Sequence, residues 1–435
     1  MLPVFVRIAG LSVLLPLAAG AQAIVGTWQG TLREGAQPLR MVVRVNAGDR
    51  GALEATLRSI DEGADFGHLF RADSIVVEHS RVTITWTPFR VRYVGSLGAD
   101  GRSISGTWTE DKKSQPLPLI RATAETEWRD PSPHTQRFVT VEKGVRLETL
   151  DWGGTGQPVV LLAGLGNTAH VFDQFAPRLT GAYHVYGVTR RGFGESSMPE
   201  SGYLSDSLAD DVLAVLDSLG IQQPVLIGHS IAGQELSSIG TRHPEKVKGL
   251  VYLEAGYPFA FYDSGEVHVQ LSLRDTQRKL AKLADPGVAM TIKERGDMID
   301  ELVQTSLPLM ERDLRSYRQG LARARDQSAV NPPAETDPSR RRVILGAQKH
   351  TDIRVPVLAF FALPQETPPA MARDSVSRAR ADSISLAASG PHVTAFERGI
   401  PGARVVRVPH ANHYVFRSNE TEVLREIRAF VAGLQ

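Results

Sequence analysis

From about residue 138 onward, five short apolar runs recur: "PVVLLAGLG", "AYHVYGVTRRG", "QPVLIGHS", "KGLVYLEAG" and "VPVLAFFAL". They are nearly continuous rather than alternating, and that constrains the fold most. A strand that is wet on one face alternates polar with apolar residues. One covered on both faces need not, so these runs predict a parallel sheet packed between two layers. Helical stretches separate them. In "SDSLADDVLAVLDSLG", Leu208, Val212, Leu216 and Leu219 form one stripe, with Ser or Asp at the start and Gly220 where a helix should stop. Strand and helix in alternation give a doubly wound α/β sheet. A stretch at about 266–350 interrupts the pattern, being charged, helical in period and without a convincing strand. An insertion of that size between sheet strands is expected to sit over the strand ends as a cap.

The first part of the chain has a different period. Leu39, Met41, Val43 and Val45 alternate with Arg40 and Arg44, and Val82, Ile84 and Trp86 alternate with threonines. About eight such runs are separated by turn signals such as "NAGDRG" and "GADG". Alternation means one buried and one wet face. "GTWQG" at 26–30 and "GTWTE" at 106–110 echo each other near the two ends, which suggests that first and last strands lie side by side. The expectation is a small antiparallel barrel or sandwich. "DFG" at 65–67 has no supporting motif around it and reads as chance. "TEWRDPSPHTQR" has the composition of a linker. The expected layout is a signal peptide at 1–23, a β-domain at 24–125, a linker at 126–137 and an α/β domain at 138–435.

The signal peptide rests on Arg7, an apolar stretch from Ile8 to Ala19 and the cleavage pattern Ala21-Gln22-Ala23. No later segment has the roughly 20 apolar residues of a membrane span. The chain contains no cysteine, so export makes no redox demand. An exported, periplasmic or secreted protein without a stable membrane span is expected. With 49 basic and 48 acidic residues there is no electrostatic footprint for nucleic acid. Arg340-Arg341-Arg342 reads as a solvated helix face. No histidine spacing suggests a metal site and no cofactor is implied. "GGTGQP" at 153–158 lacks the ending of a phosphate loop and reads as a hairpin turn.

"GHSIAG" places Ser230 between an apolar strand and a helix, with Gly228, Ala232 and Gly233 as small neighbours. A turn that projects its middle side chain needs such neighbours, and this is the nucleophile-elbow pattern with Ala232 in place of the second glycine. A serine hydroxyl needs a base. "ARVVRVPHANHYVF", after the last strand, offers His410 and His413; His413, late in the loop, is the better placed, and His410 follows Pro409 near the strand end. His229, beside the serine, is expected to point elsewhere. The base needs a carboxylate to fix its tautomer. Glu254 closes the buried run "KGLVYLEAG" and Glu366 follows "VPVLAFFAL". A charge at a buried strand end is expensive unless partnered, which favours Glu254.

From about 138 to 435 the chain resembles an α/β hydrolase, serine esterase-like, and the preceding region more loosely resembles a lipocalin-like β-domain. "LLAGLGN" matches the family's oxyanion loop with Ala163-Gly164 where His-Gly is usual. "RRGFGESS" matches the next loop, with Thr189 where an aspartate is frequent, "GHSIAG" the elbow and "NHYVF" the histidine loop. The resemblance implies oxyanion donors at the backbone N–H of Ile231 and Leu165. In some relatives the acid follows the strand after the elbow helix, as Glu254 does. Related dehalogenases and epoxide hydrolases use an aspartate nucleophile, whereas this chain has Ser230. The expected function is therefore cleavage of a small-molecule carboxylic ester, lactone or thioester through an acyl-enzyme with a Ser-His-Glu triad. A short-peptide peptidase of the same fold and a non-catalytic ligand-binding accessory protein are the alternatives.

Overall fold

The computed structural model describes residues 19–34, 37–48, 52–59, 70–87, 90–111, 113–128, 132–323, 338–367 and 374–434. Positions 1–18 of the expected signal peptide, the last three residues of "NAGDRG" and the "DFG" at 65–67 lie outside the described residues. The described residues divide into two compact units, one ending at Trp128 and the other starting at Ser132.

The first unit is an antiparallel sheet that nearly closes into a barrel. Its strands are β1 (Gly26–Glu34), β2 (Gln37–Ala47), β3 (Leu53–Ser59), β4 (Phe70–Arg71), β5 (Ser74–Glu78), β6 (Arg81–Trp86), β7 (Val91–Leu97), β8 (Ser103–Glu110), β9 (Lys113–Pro116) and β10 (Leu119–Arg121). The order is β4-β3-β2-β1-β10-β8-β7-β6-β5, with β9 also on β8. First and last strands do lie side by side, Trp28 opposite Arg121. The echoed "GTWTE", however, belongs to β8, one strand further on, because β10 intervenes. Strands as short as β4 and β10 carry too few residues to show alternation. The two ends of the sheet meet at a corner, where the Ala72 N–H bonds the Ala55 carbonyl and the Asp73 N–H bonds that of Thr85. Trp28, Trp86, Tyr93 and Trp108 are buried in the interior, and the Arg121 guanidinium stacks 4.3 Å from the Trp28 ring centre. Of the expected linker, residues 129–131 lie outside the described residues. Glu127 pairs with Arg44 at 3.1 Å and the Trp128 N–H donates to the Gln29 side chain at 3.0 Å, so 126–128 packs on the barrel.

The second unit is an eight-stranded sheet with strands β11 (Thr135–Glu142), β12 (Val145–Gly153), β13 (Gln157–Leu162), β14 (Tyr183–Val188), β15 (Val225–His229), β16 (Gly249–Leu253), β17 (Val357–Ala362) and β18 (Arg404–Val408). The order is β11-β12-β14-β13-β15-β16-β17-β18, antiparallel at β11 and β12 and parallel from β14 onward. The unbroken apolar runs serve both faces. Val160, Leu162, Leu226, Tyr252 and Phe361 enter one core, while Val159, Leu161, Ile227, Leu253 and Phe360 enter the other. "GGTGQP" is not a hairpin turn, because β14 lies between the strands it joins. Its Gly154, at φ +96°, passes so close to the Tyr183 carbonyl that a Cβ would lie 2.0 Å from that oxygen. Between β16 and β17 run the cap helices Val269–Ala284, Ile292–Glu301, Leu307–Arg323 and Pro338–Leu345.

Candidate active site at the ends of two parallel strands

β15 is buried along its whole length and ends at His229. Ser230 follows with φ +53°, in the left-handed region, and the chain enters a short 3-10 turn and then the elbow helix Gly233–Arg242. A serine at positive φ is uncommon, and such strain persists only where the surroundings impose it. The packing accounts for the departure from the usual elbow. A Cβ on Gly233 would lie 2.0 Å from the Ala255 carbonyl oxygen, whereas Ala232 is accommodated, fully buried. The position with no room for a side chain is thus Gly233, facing the loop after β16. Ser230 itself is half-buried.

One strand over, β16 ends at Glu254, also at positive φ, +51°, and 1% exposed. Its Oε1 accepts the Ala362 N–H at 2.6 Å and the Tyr257 hydroxyl at 3.1 Å. Its Oε2 accepts the same hydroxyl at 3.0 Å and lies 3.3 Å from His413 Nδ1. Burial, reinforced by the Glu254 charge, pushes the Tyr257 phenol up, so it stays a donor. Tyr257 was not singled out from the sequence; its only signal is its place three residues after Glu254.

His413 stands on the loop after β18, its side chain 41% exposed. Its carbonyl accepts the His229 Nε2–H at 3.0 Å. His229 thus points away from solvent and braces the histidine loop. Burial, helped by the proximity of His413, lowers its pKa to about 3 and keeps it neutral. His410 lies outside this group: its side chain is 55% exposed and faces Asp382 at 3.7 Å. Glu366 is exposed, its N–H tied to the Ala411 carbonyl, and no bond joins its carboxylate to His413.

The loop at 163–168 is held from behind by Arg190. Its guanidinium donates to the carbonyls of Ala163 at 3.0 Å and Gly164 at 3.4 Å and pairs with buried Glu235. Gly164 has no room for a side chain, since a Cβ would lie 2.7 Å from His229 Nδ1. Leu165 and Ile231 share one apolar cluster with Phe193, Tyr203, Phe259 and Val343, the last from the cap. The arginine triplet lies on a helix surface, Arg340 and Arg341 exposed and Arg342 half-buried, and two of its members border this region. The Arg340 guanidinium lies flat over Gly166, and Arg342 stands 5.7 Å from the Tyr203 ring centre. A separate cavity of about 690 Å³, lined among others by Asp263, Asp275, Arg278 and Lys349, is not lined by Ser230, His413, Glu254, Ile231 or Leu165.

The site therefore combines a serine on a strained strand-to-helix turn, an imidazole hydrogen-bonded through Nδ1 to a buried carboxylate, and a packed apolar cluster that includes Ile231 and Leu165. Such a set can activate a hydroxyl for attack on a carbonyl. Comparison with known proteins agrees at the level of the fold. The model of the alpha/beta hydrolase family matches residues 159–426. Epoxide hydrolase 4 of Mus musculus is 31% identical over 142 residues, 30% of this chain and 38% of that protein. 2-(Acetamidomethylene)succinate hydrolase of Mesorhizobium japonicum is 27% identical over 101 residues, 23% of this chain and 36% of that protein. These matches span less than two fifths of either relative. Among solved structures, an esterase from Rhodococcus is 21% identical with a TM-score of 0.43, covering 70% of this chain and 100% of that one.

Proposed function

The chain belongs to the alpha/beta hydrolase family, and from that premise we propose that it is an exported serine hydrolase cleaving carboxylic esters, lactones or thioesters through an acyl-enzyme. The observation that carries this reading is the pairing of His413 Nδ1 with buried Glu254, one strand away from Ser230 at its left-handed turn. Ser230 Oγ attacks the carbonyl carbon while His413 Nε2 takes its proton. Glu254 fixes the Nδ1–H tautomer and stabilises the imidazolium. Tyr257 and the Ala362 N–H orient Glu254 in turn. The backbone N–H groups of Ile231 and Leu165 receive the oxyanion, with Arg190 acting as a positioning residue for the loop; each such donor is worth about 10²–10³ in kcat. His413 then returns the proton to the leaving alcohol or thiol, and water repeats the sequence to release the acid.

A serine at the elbow separates this chain from epoxide hydrolases, which attack with an aspartate, and favours ester-type chemistry. The apolar cluster of Phe193, Tyr203, Phe259 and Val343 suits an apolar acyl group. Export follows from the charged, apolar and Ala-Gln-Ala pattern of the first 23 residues. Protein recovered from outside the cytoplasm should begin at Ile24.

The test is labelling by a fluorophosphonate followed by turnover of p-nitrophenyl esters. Wild type should label, and Ser230→Ala should lose both the label and about 10⁴-fold or more of kcat. A folded wild-type protein that takes no probe and turns over no ester would leave the elbow idle and refute the proposal.

A further inference from the structure

Outside the active site, the start of β11, strand β12 and the loop after β13 bring together four ionisable side chains that the proposed reaction does not use. His170 and Asp173 lie three apart on and just after the 3-10 turn Ala169–Phe172, where side chains at that spacing eclipse. His134 arrives from the segment before β11. Its Nδ1 lies 3.1 Å from Asp173 Oδ1, and His170 Nδ1 lies 3.0 Å from Asp173 Oδ2. All three ligating atoms fall within 4.8 Å of one another. Their side chains are only 8%, 11% and 7% exposed for His134, His170 and Asp173. Asp173 Oδ1 and His134 Nδ1 face each other as a buried pair whose alignment falls short of hydrogen-bond geometry.

We propose that His134, His170 and Asp173 form a structural site for a divalent transition-metal ion, Zn²⁺ in the first place. Adjacent donors around zinc, with bonds of about 2.0–2.2 Å, stand about 3.0–3.4 Å apart. Asp173 meets each imidazole at about that spacing through a different oxygen, Oδ1 for His134 and Oδ2 for His170, and a bound ion would draw the three residues together from their present 4.8 Å spread. Two imidazoles and one carboxylate suit Zn²⁺, Co²⁺ or Ni²⁺, whereas Mg²⁺ and Ca²⁺ take oxygen ligands. The surroundings have the form that supports a metal-bound histidine. His170 Nε2 faces Glu148 Oε1 at 3.4 Å, and Glu148, 1% exposed, also accepts from Gln136 at 2.5 Å and Thr189 at 2.7 Å. His170 Nδ1 is within hydrogen-bond distance of Asp173 Oδ2; metal binding there takes the tautomer with the proton on Nε2, where Glu148 can accept it. Charge balances as well, since Asp173 and Glu148 offset a 2+ ion bound by two neutral imidazoles.

The ion would clip the beginning of the α/β unit to its body. Trp152 Nε1–H donates to Ser132 Oγ at 2.8 Å, the Ser132 hydroxyl donates to the Asp173 carbonyl at 3.3 Å, and the His134 ring packs edge-on to Trp152. The same network backs the candidate oxyanion loop, because Thr189, bonded to Glu148, accepts the Ala169 N–H at 2.9 Å.

The experiment is titration of chelator-treated full-length protein with Co²⁺, read by its visible absorption, then displacement by Zn²⁺ with calorimetry for stoichiometry. Expected are one saturable equivalent and no competition from millimolar Mg²⁺. Zn²⁺ should raise Tm by about 2–4 °C or more. His134→Gln and Asp173→Asn should each abolish the Co²⁺ spectrum, Glu148→Gln should weaken binding about 10- to 100-fold, and His413→Gln should leave it intact. Wild-type protein that shows no saturable Co²⁺ binding overturns the site whatever the variants do. So does a one-equivalent spectrum that survives in folded His134→Gln and Asp173→Asn.

Discussion

Replacing Glu254 by Gln exchanges one carboxylate oxygen for an NH2 group, and the neighbours decide which one. The Ala362 N–H at 2.6 Å needs an acceptor at the Oε1 position, so the amide oxygen must stay there. The NH2 is thereby forced into the Oε2 position, 3.3 Å from His413 Nδ1. An NH2 group cannot accept from Nδ1–H. His413 therefore takes the opposite tautomer, with its proton on Nε2, where it can no longer receive one from Ser230. A wrong-tautomer histidine in a serine triad lowers kcat by about 10⁴, or about 5.5 kcal/mol. Hydrolysis of a p-nitrophenyl ester is the assay, with circular dichroism to verify the fold. Tyr257→Phe serves as the graded control. It keeps the carboxylate and removes one hydroxyl bonded to a charge, about 1.5–3 kcal/mol, and should lower kcat about 10- to 100-fold at most. A folded Glu254→Gln enzyme within tenfold of wild type would refute the tautomer argument, and a collapse in Glu366→Gln instead would move the acid to that residue.

Two further outcomes follow from packing and burial. Gly233→Ala puts a methyl 2.0 Å from a backbone carbonyl; urea unfolding should show a loss of about 2–4 kcal/mol, while Ala232→Gly should change stability by about 1 kcal/mol or less. His229 is buried neutral with a pKa near 3, so below its unfolded value of about 6.5 the unfolded state binds the extra proton and stability falls with pH. Between pH 7 and pH 5 this removes about 2 kcal/mol, and His229→Gln should flatten that part of the urea-measured profile. His350, lowered to about 4 by burial, contributes in the same sense, so the flattening is partial. An unchanged slope in His229→Gln would mean that the histidine is not titrating between the two states as described.

Much of the architecture was legible along the chain, because period and continuity report how many faces of an element are covered. Continuous runs became strands buried on both sides, and alternating ones became the barrel. Gly220, at φ +66°, ends its helix where the pattern stops. Ser230 could be placed at a strand-to-helix turn because small residues must flank such a turn. What the chain could not disclose was which elements become neighbours. Nothing local to "GGTGQP" says that β14 will insert between the strands it joins, or that β10 will separate the two Gly-Thr-Trp strands. The need for glycine at position 233 depends on the Ala255 carbonyl, in the loop after the neighbouring strand. The choice between Glu254 and Glu366 as the partner of His413 was likewise spatial, since both follow buried strands and only Glu254 comes within reach. Tyr257, Arg190 and the group formed by His134, His170, Asp173 and Glu148 carry no spacing that marks them. Periodicity is a property of one element against its surroundings, whereas a bond between side chains distant in sequence exists only once the sheet order has brought their backbones together.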